Sequence, residues 1–336
     1  MKNEMSATNK NKVYLVTGSA GFIGFYLSRS LLEKGARVIG FDNLNDYYDV
    51  SLKHERLLLL ERYDNYTFIK GDLSNKETVF SLFEQYHPQV VVNLGAQAGV
   101  RYSIENPDAY IQSNIMGFFH ILEGCRHYPV EHLVYASSSS VYGGNTKVPF
   151  SEEDQVDHPV SLYAATKKSN ELLAYSYCKL YNIPATGLRF FTVYGPLGRP
   201  DMAYFKFAKK IMEGDPIQVY NHGDLSRDFT YIDDIVKGIE RVIAKAPDPD
   251  EAGVPYKIYN IGNSQPVKLM DFIKTVETAA GIEAEKIFMP MQAGDVYQTN
   301  ADTSMLEREF GFRPYTPLSE GIAKTVAWYK SYYNLK

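Results

Sequence analysis

Only two cysteines, Cys125 and Cys178, occur in the 336-residue chain, and neither has a CxxC or Cys/His neighbour pattern. A disulfide scaffold and a zinc module are thereby excluded, and both cysteines read as buried thiols of a reducing compartment, with no metal expected. Long apolar runs are also missing. No stretch of roughly eighteen residues is uninterruptedly apolar, and the polar opening from Met1 to Asn11 lacks the apolar core of a signal peptide. These absences predict a cytoplasmic protein without a membrane segment. Positive charge is not in excess either: 35 Lys and Arg against 40 Asp and Glu give a net charge of −5, with signs interspersed. Such a surface offers no basic stripe for nucleic acid or anionic lipid, so an anionic ligand must be held locally. No repeat or low-complexity linker divides the chain, whose length suits one large α/β domain or two smaller ones.

What is present begins at Lys12 to Gly24, KVYLVTGSAGFIG, an apolar strand running into Gly18, Gly21 and Gly24. This is the pattern of phosphate binding by backbone. Gly18 permits the tight turn, Gly21 lets main-chain N–H groups approach a pyrophosphate, and Gly24 lets the helix from Phe22 to Lys34 pack on the sheet with its positive end at the phosphates. A second strand, Ala36 to Phe41, ends in Asp42, about twenty residues on, where a carboxylate accepts hydrogen bonds from an adenosine ribose. That acid predicts NAD rather than NADP, because a 2′-phosphate would be repelled.

Strands and helices then alternate. A tyrosine-rich loop leads to a helix over Ser51–Arg62, a third strand ends at Asp72, and a helix covers Lys76–Tyr86. Asp72 with Leu73 reads either as an adenine contact or as the cap of that helix. QVVVNLGAQAG is a fully apolar fourth strand opening into small residues, with Asn93 to Ala98, Ala96 among them, lining the site. Pro107–Arg126 is a long helix around Asn114, EHLVYASSSS a fifth strand ending in serines, Val160–Tyr181 a helix, ATGLRFFTVYG a sixth strand, and KIYNIG a seventh. The alternation predicts an α/β fold, a Rossmann-type doubly wound parallel sheet of about seven strands. From Gly195 onward the pattern loosens into a smaller, discontinuous C-terminal lobe. The division expected is 12–195 with 229–263 for the cofactor, and 196–228 with 264–336 for the substrate.

Tyr163 and Lys167 are four apart on one predicted helix, a turn from each other. The spacing alone is common here, recurring at Tyr66/Lys70, Tyr175/Lys179 and Tyr332/Lys336 among 27 tyrosines. Only Tyr163 follows the strand-end serines at a distance that lays its helix across the strand's mouth. Lys167 and a nicotinamide ring would favour the phenolate, Ser138 would add a hydrogen bond, and together they could take the proton of a secondary alcohol while its hydride moves to NAD.

With TGSAGFIG, YASSSSVYG, YAATK and RFFTVYGP on the page, the chain resembles the extended short-chain dehydrogenase/reductase family over nearly its whole length, and most closely its nucleotide-sugar 4-epimerases. The resemblance implies tightly held NAD, with Gly18, Gly21, Phe22, Ile23, Gly24, Asp42, Asn43, Asp72, Leu73 and Ala96 on its side, joined by Tyr163 and Lys167. It implies a catalytic Ser138, Tyr163 and Lys167, a UDP-sugar under the C-terminal lobe, turnover through a transient 4-keto sugar, and a homodimer. Dehydratases of this pattern carry an Asp-Glu pair after the catalytic Ser/Thr, and decarboxylases a Glu; here those places are Ser139 and Ser140. The segments NLNDYYDVSLKHERL, AQAGVRYS and YGPLGRPDMA resemble the UDP-glucuronate 4-epimerases, with neutral-hexose epimerases, decarboxylases and a non-catalytic NAD sensor as alternatives. Ser139, Ser140 and Arg199 are then partners for a C6 carboxylate, unless Arg199 merely pairs with Asp201. Thr192 stands where many relatives have Asn, and Gln292 where many have Arg. That leaves Arg227 for the pyrophosphate, unless it pairs with Asp228 or Asp233, and Asp295 for the uridine ribose.

Overall fold

The computed structural model describes residues 9–292 and 296–335. The chain alternates β1 (Val13–Thr17), α1 (Phe22–Glu33), β2 (Arg37–Asp42), α2 (Ser51–Leu60), β3 (Tyr66–Lys70), α3 (Lys76–Tyr86), β4 (Val90–Asn93), α4 (Gly117–His127), β5 (His132–Ser138), α5 (Leu162–Tyr181) and β6 (Ala185–Phe190). After α6 (Ala203–Glu213) and α7 (Ile232–Ile243) come β7 (Tyr256–Ile261), α8 (Leu269–Ala280) and α9 (Leu318–Tyr332). β1 to β7 form one parallel sheet in the order β7-β6-β5-β4-β1-β2-β3. The order reverses between β1 and β4, and a ligand crevice opens outside the carboxyl ends of the strands at such a reversal.

Side chains of successive strand residues point to opposite faces, and both faces are covered. Tyr14, Val16, Val90 and Val92 face a core shared with α1, α7 and α8, whereas Leu15 and Val91 face a core built with α3, α4 and α5. The first core also includes Phe205 and Phe207 on α6 and Val326 on α9, so the loosely patterned C-terminal half packs into the same apolar mass as the glycine-loop helix. Among the described residues, no helix is long and apolar enough to cross a membrane, and no cluster of His, Cys, Asp and Glu could hold a metal ion. Cys125 and Cys178 are both free and buried.

Three expectations need local correction. The sixth strand does not run through to Gly195: it stops at Phe190, and Thr192–Tyr194 joins a second sheet beside Ser226–Tyr231. Phe191 N–H makes the last bond to Ile261 of β7, and its ring enters a small cluster with Tyr142 and Phe150. The helix expected over Pro107–Arg126 carries a π-helical stretch at Ile111–Met116, where the Asn114 carbonyl accepts from Asn170 at 2.7 Å. The helix expected from Val160 begins at Leu162 because the Ser161 hydroxyl accepts from Ala164 N at 3.1 Å.

Candidate active site

The glycine turn is built as its spacing requires. Gly18 has φ +70°, and a Cβ there would lie 2.8 Å from the Gly95 nitrogen; a Cβ on Gly24 would lie 2.1 Å from the Gly18 carbonyl oxygen. Neither position can carry a side chain without moving backbone. Gly21 begins α1 with no side-chain cap, which leaves first-turn N–H groups for an anion in the crevice. Asp42 ends β2 nearby, its two oxygens accepting from Ala20 N at 3.2 Å and Leu44 N at 2.9 Å. An anion-tolerant turn beside a carboxylate fits a dinucleotide whose ribose carries free hydroxyls.

A cavity of about 740 Å³ spans the strand ends. On the glycine side it is lined by Gly18, Gly21, Phe22, Ile23 and Gly24, then by Asp42, Asn43, Asp72, Leu73 and Ala96. Asp72 is not a helix cap: Asn75 caps α3, while Asp72 accepts from the Asn43 amide at 2.8 Å and from the Ser74 hydroxyl at 2.7 Å. Burial pushes the Asp72 carboxyl up, but these bonds outweigh it and the net displacement is downward.

Opposite stand Ser138, Ser139, Ser140, Tyr163 and Lys167, with Thr192, Arg199 and Arg227 farther round. Ser138 ends β5 and opens a 3₁₀ turn, its oxygen accepting from Ser140 N at 3.1 Å and lying 3.2 Å from the Ser140 hydroxyl. Burial raises the Tyr163 pKa, while the neighbouring Ser138 hydroxyl and the Arg199 guanidinium work in the opposite direction. The sequence assigned that electrostatic help to Lys167. Its ammonium instead donates to the Ala136 carbonyl at 2.8 Å, and burial brings its pKa down to about 8. The helix register is locked from below by Thr166, which donates to the Tyr163 carbonyl and accepts from Asn114.

Arg199 does pair with Asp201, but not on a surface loop. The pair has two points, Nε to Oδ1 at 3.0 Å and Nη2 to Oδ2 at 2.6 Å, and Arg199 lines the cavity. Its Nη1 makes no hydrogen bond among the described residues. Arg227 donates to the carbonyls of Ser226 and Tyr297, at 2.9 and 3.1 Å. Asp228, its candidate partner, is occupied elsewhere, accepting main-chain N–H groups of Asn263, Ser264 and Ala301. Asp295 lies outside the described residues.

Of the segment between β2 and the middle of α2, the sequence reading named Asn43 alone as a site residue. Tyr47, Tyr48 and Lys53 line the cavity, and Lys53 donates to the Asn45 carbonyl and side chain at 2.7 and 2.6 Å. Asp201, Arg101 and Lys206 were missed as well. One signal was available: Lys53 and Arg56 sit three apart on a helix amid leucines, which puts two cations on one face.

Protein CapI of Staphylococcus aureus is 54% identical over 330 residues, 95% of this chain and 98% of that protein. A protein of Rhizobium meliloti described as a probable UDP-glucuronate 4-epimerase is 46% identical over 332 residues, 95% of this chain and 97% of the relative. A solved structure of a UDP-glucuronic acid 4-epimerase from Bacillus cereus, in complex with UDP-glucuronic acid and NAD, superposes with a TM-score of 0.88 at 33% identity, covering 96% of this chain and 100% of that one. The model of the NAD dependent epimerase/dehydratase family matches residues 14–262, and the chain belongs to that family.

Proposed function

We propose that this protein is a UDP-glucuronate 4-epimerase, interconverting UDP-glucuronate and UDP-galacturonate with a bound NAD. The observation that carries the reading is the meeting, in one cavity, of the glycine turn with Asp42, of Ser138 with Tyr163, and of a half-buried Arg199 with the two serines that stand in place of an acid–base pair. NAD, when bound, supplies the acceptor that takes the C4 hydride and returns it. The turn around Gly18, Gly21 and Gly24 would hold its pyrophosphate, Asp42 its adenosine ribose, and Asn43, Asp72, Leu73 and Ala96 its adenine and linker.

Tyr163 exchanges a proton with the sugar's O4, and Ser138 orients both the phenol and that oxygen. Arg199 places positive charge near the phenol, which favours its anionic form, while Lys167, held on the Ala136 carbonyl, serves the cofactor. Oxidation at C4 makes a glucuronate a β-keto acid, which loses CO₂ readily when its carboxylate stands perpendicular to the carbonyl. Arg199 with Ser139, Ser140 and Thr192 restrains that carboxylate without offering a general acid. The pair with Asp201 aims the guanidinium and leaves Nη1 for the sugar. Arg227 serves the UDP pyrophosphate and Asp295 the uridine ribose. Residues 12–195 with 229–263 form the NAD part, and 196–228 with 264–336 close over the sugar.

The chain is also proposed to work in the cytoplasm, in keeping with its two free thiols, and as a homodimer. Support for the dimer comes from exposed apolar side chains on packed neighbours, Ile111 and Met116 on the π-helical stretch with Leu172 and Tyr175 on α5. Purified protein incubated with UDP-glucuronate and followed by NMR should yield UDP-galacturonate. Preferential conversion of UDP-glucose would move the assignment to the neutral-hexose epimerases, and no conversion of any UDP-sugar despite bound NAD would favour a sensor.

A further inference from the structure

The turn from Pro196 to Asp201 carries Arg199 to the cavity, yet most of what holds that turn comes from the cofactor side of the molecule. Tyr26 on α1 donates to the Pro196 carbonyl at 3.0 Å. Arg56 on α2 donates to the Leu197 carbonyl through Nη2 and Nε, at 2.7 and 3.1 Å, and to the Gly198 carbonyl at 3.1 Å. Tyr47 donates to the Asp201 carboxylate at 3.2 Å. From the turn's own side, the Tyr204 hydroxyl accepts from Arg199 N at 3.0 Å. The remaining donors of Arg56 reach the Ala20 carbonyl, inside the glycine turn, at 2.9 Å and the Tyr48 hydroxyl at 3.0 Å. All of its N–H groups are thereby used.

Two features set Arg56 apart from ordinary packing. It is fully buried, 0% exposed, and the charge that a guanidinium cannot give up is solvated there by carbonyl dipoles and a hydroxyl. Such a group is tolerated only where its partners stay in place, because each displaced carbonyl leaves a buried donor on a cation unmet. The partner it bonds twice is also the strained one. Leu197 has φ +52°, a left-handed conformation that a branched side chain disfavours, and its side chain is buried. At Gly198 a Cβ would meet the Tyr204 hydroxyl at 2.0 Å. The turn therefore holds a shape its own residues do not prefer, pinned from the glycine loop.

We infer that Arg56 is a positioning residue for the sugar site: by spanning Ala20 and the Leu197–Gly198 carbonyls it fixes where Arg199 presents its guanidinium. Arg56 does not line the cavity, so it acts through the turn and not by touching the sugar. The inference rests on the proposed reading of Arg199 as the carboxylate partner. On this account sugar recognition is set partly from the cofactor side.

The test is kinetic, on NAD-loaded protein, with UDP-glucuronate as substrate and UDP as a competing ligand that lacks the sugar. Arg56→Lys keeps the charge and loses the fork; Arg56→Gln keeps two donors and loses the charge, and serves if the lysine variant does not fold. Displacing one charged hydrogen bond predicts a KM for UDP-glucuronate raised about tenfold, with the UDP inhibition constant and the NAD content unchanged. Combined with Arg199→Met, the Arg56 substitution should add nothing further, because the two share one route. The inference is overturned by an unchanged KM, by losses that multiply in the double variant, or by equal weakening of UDP and NAD, which would make Arg56 a general support of the fold. If Arg199→Met raises KM and the Arg56 variants do not, only Arg56 is misassigned. If Arg199→Met leaves KM unchanged, the reading of Arg199 fails, and a raised KM in an Arg56 variant would then show that it does not act through Arg199.

Discussion

Replacing Lys167 with Met should change how stability depends on pH, in an amount the structure sets. Lys167 is 4% exposed, and burial brings its pKa from the ordinary 10.5 to about 8. Below about pH 8 the lysine is protonated both folded and unfolded, and the cost of burying the charge is constant. Between about 8 and 10.5 the unfolded chain binds more protons than the folded one, so this group's contribution to stability rises with pH. The gap between the two values, at ~1.4 kcal/mol per pH unit, totals about 3 kcal/mol, of which about 2 kcal/mol accrues by pH 9.5. Methionine fills similar space without the ammonium and loses the bond to the Ala136 carbonyl, worth about 1.5–3 kcal/mol. At pH 7 the two effects nearly offset, and the variant should sit close to wild type. Urea unfolding of cofactor-free protein from pH 7 to 9.5 should then show wild type gaining about 2 kcal/mol on the variant. The many buried tyrosines with raised pKa values titrate in both proteins and cancel in the difference. Parallel stability profiles, constant to within about 0.5 kcal/mol, would mean that Lys167 is not held near 8 and would refute the reasoning.

Three further outcomes are expected. Tyr163→Phe should keep the fold and NAD binding while lowering turnover of UDP-glucuronate by about 10² to 10⁴; near-normal activity would mean that the proton acceptor is another group. Cofactor-free protein should bind NAD more tightly than NADP in calorimetry, since a 2′-phosphate would face the Asp42 carboxylate, and equal affinities would sink that assignment. Arg189→Met should cost about 3–5 kcal/mol in urea unfolding, because Arg189 and Glu171, 3% and 2% exposed, form a two-point pair that would leave Glu171 buried with only the Ser137 hydroxyl at 2.6 Å and the distant Lys168 ammonium; a loss under about 1 kcal/mol would show the pair to be dispensable.

Residues adjacent along the chain decided much of this protein by themselves. The glycine spacing, the acid ending β2 and the alternation of apolar strands with helices depend on local turn geometry and on side-chain periodicity, and the parallel seven-stranded sheet follows from them. The same holds for Ser138 at a strand end and Tyr163 one turn from Lys167. What only the tertiary structure decided is which groups meet across long separations. Electrostatic help for Tyr163 comes from Arg199, thirty-six positions away, rather than from the helical neighbour whose ammonium is drawn to Ala136. Sixth-strand pairing ends at Phe190, and the next residue packs its ring with Tyr142 and Phe150 while Thr192–Tyr194 pairs with Phe229–Tyr231, partners no local pattern names. Arg56 looks from sequence like one more cation on an amphipathic helix. Its burial and its carbonyl partners exist only once the glycine turn and the Leu197 turn are folded against each other, because the dipoles that solvate its charge come from segments far apart in the chain.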